Sequence, residues 1–287
     1  MLLSIIIPSK GRQVTMNILV IELVRQIKKI SLDDKIEIII VDDGSEPALV
    51  KPSTNLASIK LIRQKNSGAP KAREKGLSIS QGKFIHFHDS DDSVSDNWIE
   101  STTTYLTKNP SLDFLISRRE EVHTSGRKYF RQNFLIKNKE RQCKIIERLN
   151  YNNCFGPIGG VTFSRNILRN VKFRDIKSCQ DWSMYLDALN LDSKIVEASD
   201  CYFIKNNSHD DQISHDIRKK VLGFLRLGRE HKTLKNNLIR LYYVNSAIKK
   251  IPNHTHPLLK DFQRNKKLAL WVSHIYVELI KLWSIIK

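Results

Sequence analysis

Cysteine is scarce in this sequence. Its four residues, Cys143, Cys154, Cys179 and Cys201, stand far apart, and no CxxC pair occurs. That excludes a clustered zinc motif and the dense disulfide framework of a small secreted domain, so a reduced compartment is expected. Long apolar runs are missing too: no stretch approaches the roughly 18 residues that a membrane-spanning helix needs. The N-terminus lacks the basic stretch, apolar run and small-residue cleavage site of a signal peptide, which points to the cytosol. No internal repeat or low-complexity tract is present. Acidic residues are few at one end: from His215 to Lys287 there are 16 Lys and Arg against 4 Asp and Glu, a net +12 of the chain's +18. The rest is near-ordinary globular sequence. With 287 residues, 40% of them hydrophobic, a sizeable core needs no staples. The expected division is a domain over 1–214 and a basic helical region over 215–287.

The first 90 residues alternate short apolar runs with amphipathic stretches, the pattern of a parallel sheet with crossover helices. Strands are expected at Leu2–Pro8, Ile36–Val41, Ile59–Arg63 and Phe84–His88, with helices at Asn17–Ile30 and Pro70–Ser80. A helix at Asn97–Thr107 and a strand at Leu112–Ser117 continue the series. Beyond it, Asn150–Thr162 reads as a Gly- and Asn-rich loop, Ser164–Asn170 and Asp181–Leu191 as helices, and Lys194–Val196 and Tyr202–Ile204 as short strands. In such a fold ligands lie outside the carboxyl ends of the strands. The residues there are unusual: Pro8-Ser9-Lys10-Gly11-Arg12, Asp42-Asp43-Gly44-Ser45 and Asp89-Ser90-Asp91-Asp92.

Alternate carboxylates in an extended turn can share one hard cation, and oxygen ligands suit Mg²⁺ or Mn²⁺. A cation that also meets a diphosphate neutralises charge on a leaving group. The competing reading of Asp89–Asp92 is a helix N-cap, because Asp and Ser favour that position and a helix follows. Asp42–Ser45 is either a plain turn or an acceptor carboxylate for a base or ribose, with Gly44 permitting the tight bend. Arg73 is either a solvated helix charge or a planar donor reaching into the same crevice.

Taken together these residues resemble the nucleotide-sugar-dependent glycosyltransferases of family 2, which have the GT-A fold: a Rossmann-type mixed α/β sheet flanked by helices. The likeness covers roughly residues 2–215. It rests on SIIIP with Lys10-Gly11-Arg12, on Val41–Ser45, on the N-x-G-x-x-x-A-R segment Asn66–Arg73 and on the DxD motif Asp89-Ser90-Asp91. The resemblance implies a nucleotide-sugar site formed by Pro8, Lys10, Arg12, Asp43, Arg73, Asp89 and Asp91. It also implies Mn²⁺ or Mg²⁺ held by Asp91 and Asp92, joined by the late His209. Gly159 and Gly160 match the acceptor-facing loop. Asp181, in Cys179-Gln180-Asp181-Trp182, matches the aspartate that deprotonates the acceptor hydroxyl, although Gln180 stands where the family carries glutamate. An inverting displacement needs one such carboxylate on the acceptor side, and the same residue equally suits a helix cap.

The implied activity is transfer of a sugar, UDP-linked by analogy, to an acceptor hydroxyl in bacterial surface polysaccharide synthesis, such as O-antigen or capsule. Polyprenyl-linked glycans are the expected acceptors. In the tail, Leu268, Trp271, Ile275, Leu279, Leu282 and Ile286 recur at helical spacing. That stripe either lies on an anionic membrane or packs against protein. Two rivals have sequence features against them. A sugar-1-phosphate nucleotidyltransferase needs a glycine-rich loop after the first strand, where only Gly11 stands, and a nucleic-acid binder needs its basic excess on the main domain. A catalytically idle scaffold is the third alternative, raised by Gln180.

Overall fold

The computed structural model describes residues 1–56, 58–123, 125–131, 142–151, 153–176 and 178–207, and beyond these 219, 223, 226–228, 230 and 231. The chain divides into two compact units. The first comprises Met1–Ile146, Cys154–Asp175 and Asp187–His209, and the second Glu147–Asn153, Ile176–Leu186 and Asp210–Lys287. The amphipathic stripe expected at 268–286 lies outside the described residues.

The first unit is built on a nine-stranded mixed sheet. Its strands are β1 (Leu3–Ser9), β2 (Ile36–Asp43), β3 (Ile59–Gln64), β4 (Phe84–Phe87), β5 (Ser93–Val94), β6 (Phe114–His123), β7 (Lys128–Arg131), β8 (Val161–Ser164) and β9 (Ile195–Asn207). The order is β3-β2-β1-β4-β8-β6-β9-β5, with β7 added to β6. The pairs β1/β2, β2/β3 and β1/β4 are parallel, so the chain crosses over between them. Helix α1 (Gln13–Lys29) makes the first crossover and α2 (Ala69–Ile79) the third. Every residue of β1 and β2 is buried, which is why both strands are nearly continuous Ile and Val rather than alternating.

Ile5, Ile7, Ile38 and Ile40 pack on one face with Leu19, Leu23 and Ile27 of α1 and with Trp98, Ile99 and Leu106 of α3 (Trp98–Lys108). Each fully buried aliphatic side chain contributes about 1.5–3 kcal/mol. On the other face α2 approaches closely: a Cβ on Gly76 would come 2.3 Å from Ile6 Cγ2. At the amino-terminal edge a buried Glu37 accepts from Ser4 Oγ (2.7 Å), Lys60 Nζ (2.9 Å) and the Gln81 N–H, tying three strands to the end of α2.

Four expectations shift. The loop expected over Asn150–Thr162 gives way at Val161 to β8, because β4 and β6 pair its backbone from either side. Helix α1 begins at Gln13 rather than Asn17, because Gln13 closes a two-way hydrogen bond with the Val50 backbone that no local pattern announces. Strand β6 continues past Ser117 through the polar run Arg118–His123, which β7 and β9 pair on its two sides and in which Glu120 meets Lys128. The two short late strands are one, β9, interrupted by a register shift opposite Ser117 and Arg118. Further helices are α4 (Gln142–Tyr151), α5 (Arg165–Leu168) and α6 (Gln180–Ala188), and a 3-10 turn spans Ile158–Gly160.

Candidate functional site

Parallel pairing brings the carboxyl ends of β1, β2 and β4 to one edge, and the turns that follow are bound to one another. The Gly11 N–H donates to Ser45 Oγ (2.8 Å), joining the β1 turn to the β2 turn, and Arg12 forms an ion pair with Asp91, joining it to the β4 turn. Pro8 is buried, Lys10 is exposed and Arg12 is intermediate.

The two aspartates after β2 do different work. Asp42 accepts the N–H groups of Ser45 (2.8 Å) and Leu49 (3.2 Å). Burial pushes its carboxyl up, but those bonds and nearby Arg63 hold it below the ordinary range. Asp43 holds the next loop: Oδ1 accepts from Gln64 Nε2 and the Ser67 N–H, and Oδ2 accepts from the Gly68 N–H, each at 2.8 Å. Gly44, at φ 75°, lies so close to that loop that a Cβ would sit 2.7 Å from Asn66 N. A cavity of about 500 Å³ opens beside it, lined by Gly44, Glu46, Arg63, Gln64, Lys65 and Asn66.

The acidic turn after β4 is closed by a bond from the Asp92 N–H to Asp89 O (3.1 Å). Asp89 pairs with Arg73 at 2.7 Å, and Arg73, on α2, is only 3% exposed. Burial raises the Asp89 carboxyl, yet the Arg73 guanidinium outweighs it and holds the group below its usual value. Asp92 makes no ion pair among the described residues: burial and the charges of Asp89 and Asp91 push it well up, offset only in part by the Asn206 N–H (2.9 Å) and the charge of Lys205. Asn206 also donates from Nδ2 to the Asp91 carbonyl (2.8 Å), so β9 braces the turn.

Beneath the turn lies a buried polar file. His86 Nδ1 meets Thr162 Oγ1 (3.0 Å) and His86 Nε2 meets His88 Nδ1 (3.1 Å). Burial pushes His86 well down and His88 to about 4, so both rings are neutral near pH 7. His86, His88 and Asn206 were not singled out from sequence. Asn206 acts across more than a hundred residues, and the histidines looked like part of an ordinary buried strand.

The sequence-derived acceptor glycines lie in the 3-10 turn, both buried. A Cβ on Gly159 would come 2.3 Å from the Phe203 ring, so close packing on β9 is one reason for glycine there. Asp181 belongs to the second unit, in the first turn of α6 and partly exposed. Cys179, just before that helix, adopts the left-handed conformation at φ 63°, uncommon for a residue with a side chain. Its carbonyl accepts the Ser183 N–H (3.0 Å). Gln180 donates from Nε2 to Ile176 O (2.7 Å), a bond that a glutamate cannot make, which gives the substitution a local reason. Trp182 anchors the helix by donating to Leu149 O (2.7 Å). His209 lies outside the described residues.

Among the described residues no group of three or more His, Cys, Asp or Glu side chains is gathered in metal-holding geometry, and no helix is long and apolar enough to cross a membrane. The donor chemistry of the acidic turn nevertheless suits a hard divalent cation: three carboxylates crowd one turn, and the one without a direct cationic partner is driven towards protonation.

Polar turns tied together at the carboxyl ends of parallel strands place the first unit in the Rossmann-type class of α/β folds. The sequence assigns it further. The profile of Glycosyl transferase family 2 matches residues 4–176, and the chain belongs to that family. It is 29% identical over 199 residues to the minor teichoic acid biosynthesis protein GgaA of Bacillus subtilis (strain 168), covering 65% of this chain and 43% of GgaA. The chain therefore spans less than half of that relative. An uncharacterized glycosyltransferase of Haemophilus influenzae is 24% identical over 243 residues, 75% of this chain and 74% of that protein. The crystal structure of S. aureus TarS 1-349 in complex with UDP-GlcNAc superposes with a TM-score of 0.58 at 17% identity, covering 86% of this chain and 72% of that one. That likeness is one of fold, and it identifies the mixed sheet as GT-A.

Proposed function

We propose that this chain is an inverting glycosyltransferase that moves a sugar from a UDP-linked donor to an acceptor hydroxyl, in synthesis of a bacterial surface polysaccharide. The reading rests above all on the acidic turn Asp89–Asp92, where Arg73 and Arg12 pair with two carboxylates and the crowding of all three drives the third towards protonation, a repulsion that a bound cation would relieve. Family membership supports it, and so do the surface-polymer and UDP-sugar descriptions of GgaA and TarS.

In this reading Pro8, Lys10, Arg12, Asp43, Arg73, Asp89 and Asp91 form the donor site. Asp43 acts through the loop it holds, and the cavity beside Gly44 is of a size for a nucleobase. Asp91 and Asp92, with His209, would hold Mn²⁺ or Mg²⁺, which supplies neutralisation of the charge developing on the diphosphate. Asp181 receives the proton of the acceptor hydroxyl as its oxygen attacks the anomeric carbon. The bond from that carbon to the diphosphate oxygen breaks, and UDP leaves with the electron pair. Gly159 and Gly160 face the acceptor side. The catalytic domain is 1–214, and the basic region 215–287 provides peripheral contact with an anionic membrane, where a polyprenyl-linked acceptor would be met. O-antigen and capsule are the leading product classes, with teichoic-acid-type polymers beside them.

The test is transfer itself: the wild type and Asp181→Asn are incubated with UDP-sugars and hydroxyl acceptors, UDP release is measured, and the anomeric configuration of the product is read by NMR. Inverted product from the wild type, with turnover at least a hundredfold lower in a folded Asp181→Asn, is expected for loss of a general base. Retained configuration, or full activity in Asp181→Asn, would overturn the assignment.

A further inference from the structure

Helix α1 is apolar on two sides. Its inner face, Met16, Leu19, Val20, Leu23, Val24 and Ile27, is buried in the core. On its outer face Val14 is 70% exposed, Ile18 62% and Ile21 54%. Spacings of four and three put these three in one line along the helix. Val50, also 70% exposed, is brought beside the first turn by the two hydrogen bonds between Gln13 and the Val50 backbone. Single exposed aliphatics are ordinary on a soluble surface; four in one contiguous stripe mark a contact surface. The stripe ends in cations. Arg25 and Lys28 continue its line but are paired, Arg25 with Glu22 and Asp96 and Lys28 with Asp33; Lys29 flanks them, and Lys10 and Lys51 stand at the other end. Lys10, Lys29 and Lys51 have no carboxylate partner among the described residues, and the only acid on the helix, Glu22, is bound by Arg25 and Gln26.

We infer that this outer face of α1, with Val50, docks on the headgroup–acyl boundary of an anionic bilayer. A convex aliphatic stripe between two cationic ends matches what that boundary offers, apolar depth beneath negative charge. A second copy of the chain is the poorer fit. The stripe exposes roughly 400 Å², about half of what a stable dimer buries on each partner, and each copy carries a formal net charge of +18. The surface also begins two residues after Arg12, so a bilayer held there lies beside the turn that carries the candidate donor site. The inference adds a contact on the first unit to the one proposed for the basic region 215–287. It does not depend on the chemistry of sugar transfer.

The test is co-sedimentation of the full chain with vesicles of phosphatidylcholine alone or with phosphatidylglycerol, comparing the wild type with Ile18→Asp and the uncharged Ile18→Gln. UDP binding and melting are followed in parallel, and light scattering reports the oligomeric state. The expected result is binding to the anionic vesicles only, weakened about tenfold or more by Ile18→Asp and less by Ile18→Gln, with melting and UDP binding unchanged. Equal vesicle binding by all three proteins would locate the contact elsewhere, in the basic tail, and overturn the inference. So would absence of vesicle binding, or a wild-type dimer that Ile18→Asp converts to monomer. Failure of UDP binding in every protein would instead count against the transferase reading.

Discussion

Asp43 offers a sharp test because its side chain is 5% exposed and its carboxylate is committed on both oxygens. In Asp43→Asn one oxygen becomes an NH₂ group. With the nitrogen at the Oδ2 position it faces the Gly68 N–H, donor against donor. With the amide flipped, Gln64 can turn its own amide to compensate, but the Ser67 N–H then has no acceptor. Either orientation leaves a buried donor unsatisfied, at a cost of about 1–3 kcal/mol. The surviving bonds lose their charge assistance, roughly half their strength. A destabilisation of about 2–4 kcal/mol follows, which at a few degrees per kcal/mol for a domain of this size is a fall in Tm of about 5–10 °C. Because the loop so loosened leads into α2 and Arg73, UDP affinity should also fall, by about tenfold or more, the equivalent of about 1.4 kcal/mol or more. Differential scanning calorimetry and UDP titration on the same sample decide the matter. A Tm within a degree of the wild type would refute the claim that this carboxylate holds the loop, even if UDP binding were lost.

Glu197 gives a pH prediction. Both its carboxylate oxygens are buried with no hydrogen-bond partner among the described residues, and burial raises its pKa to about 7, against a smaller opposing effect of Arg118. Below its unfolded value of 4.5 it is protonated in both states; as pH rises from there to 7 the unfolded chain ionises first, so stability falls and then levels off. The full gap is worth about 3 kcal/mol, reduced to about 1–2 because the group is only partly buried. Glu197→Gln should therefore raise stability by that amount at pH 8 and leave it unchanged at pH 4, as read by urea melts; equal effects at both pH values would refute the assignment. Gly159→Ala must displace either the buried Phe203 ring or the turn, and should cost about 1–3 kcal/mol in thermal unfolding, whereas an unchanged melt would mean that the turn yields freely. Gly76→Ala meets Ile6 in the same way and should be destabilising by a similar amount without altering UDP affinity once folded.

Much of the sheet was legible because β1, β2 and β4 are buried on both faces and must be written in runs of Ile, Val and Phe between helical patterns. The three polar turns were legible for the same reason: strand ends fix where they gather. What sequence did not convey depends on pairing between distant segments. The polar run Arg118–His123 lies beyond the strand expected at Leu112–Ser117 and becomes strand because β7 and β9 satisfy its backbone. The division of labour between Asp42 and Asp43 is invisible in an Asp-Asp pair, and appears only when Ser45 and Leu49 claim one carboxylate and Gln64, Ser67 and Gly68 the other. Gln180, a departure from the family pattern, gains a reason only from the Ile176 carbonyl it reaches.

The central claim is that the β4 turn holds a divalent cation together with a nucleoside diphosphate. Isothermal titration of UDP into the wild type and Asp91→Asn, with and without Mn²⁺, tests it most directly. The account predicts that Mn²⁺ strengthens UDP binding by the wild type at least about tenfold and has no such effect on Asp91→Asn. UDP binding that is indifferent to Mn²⁺ in the wild type, or Mn²⁺-strengthened to the same degree in Asp91→Asn, would contradict it.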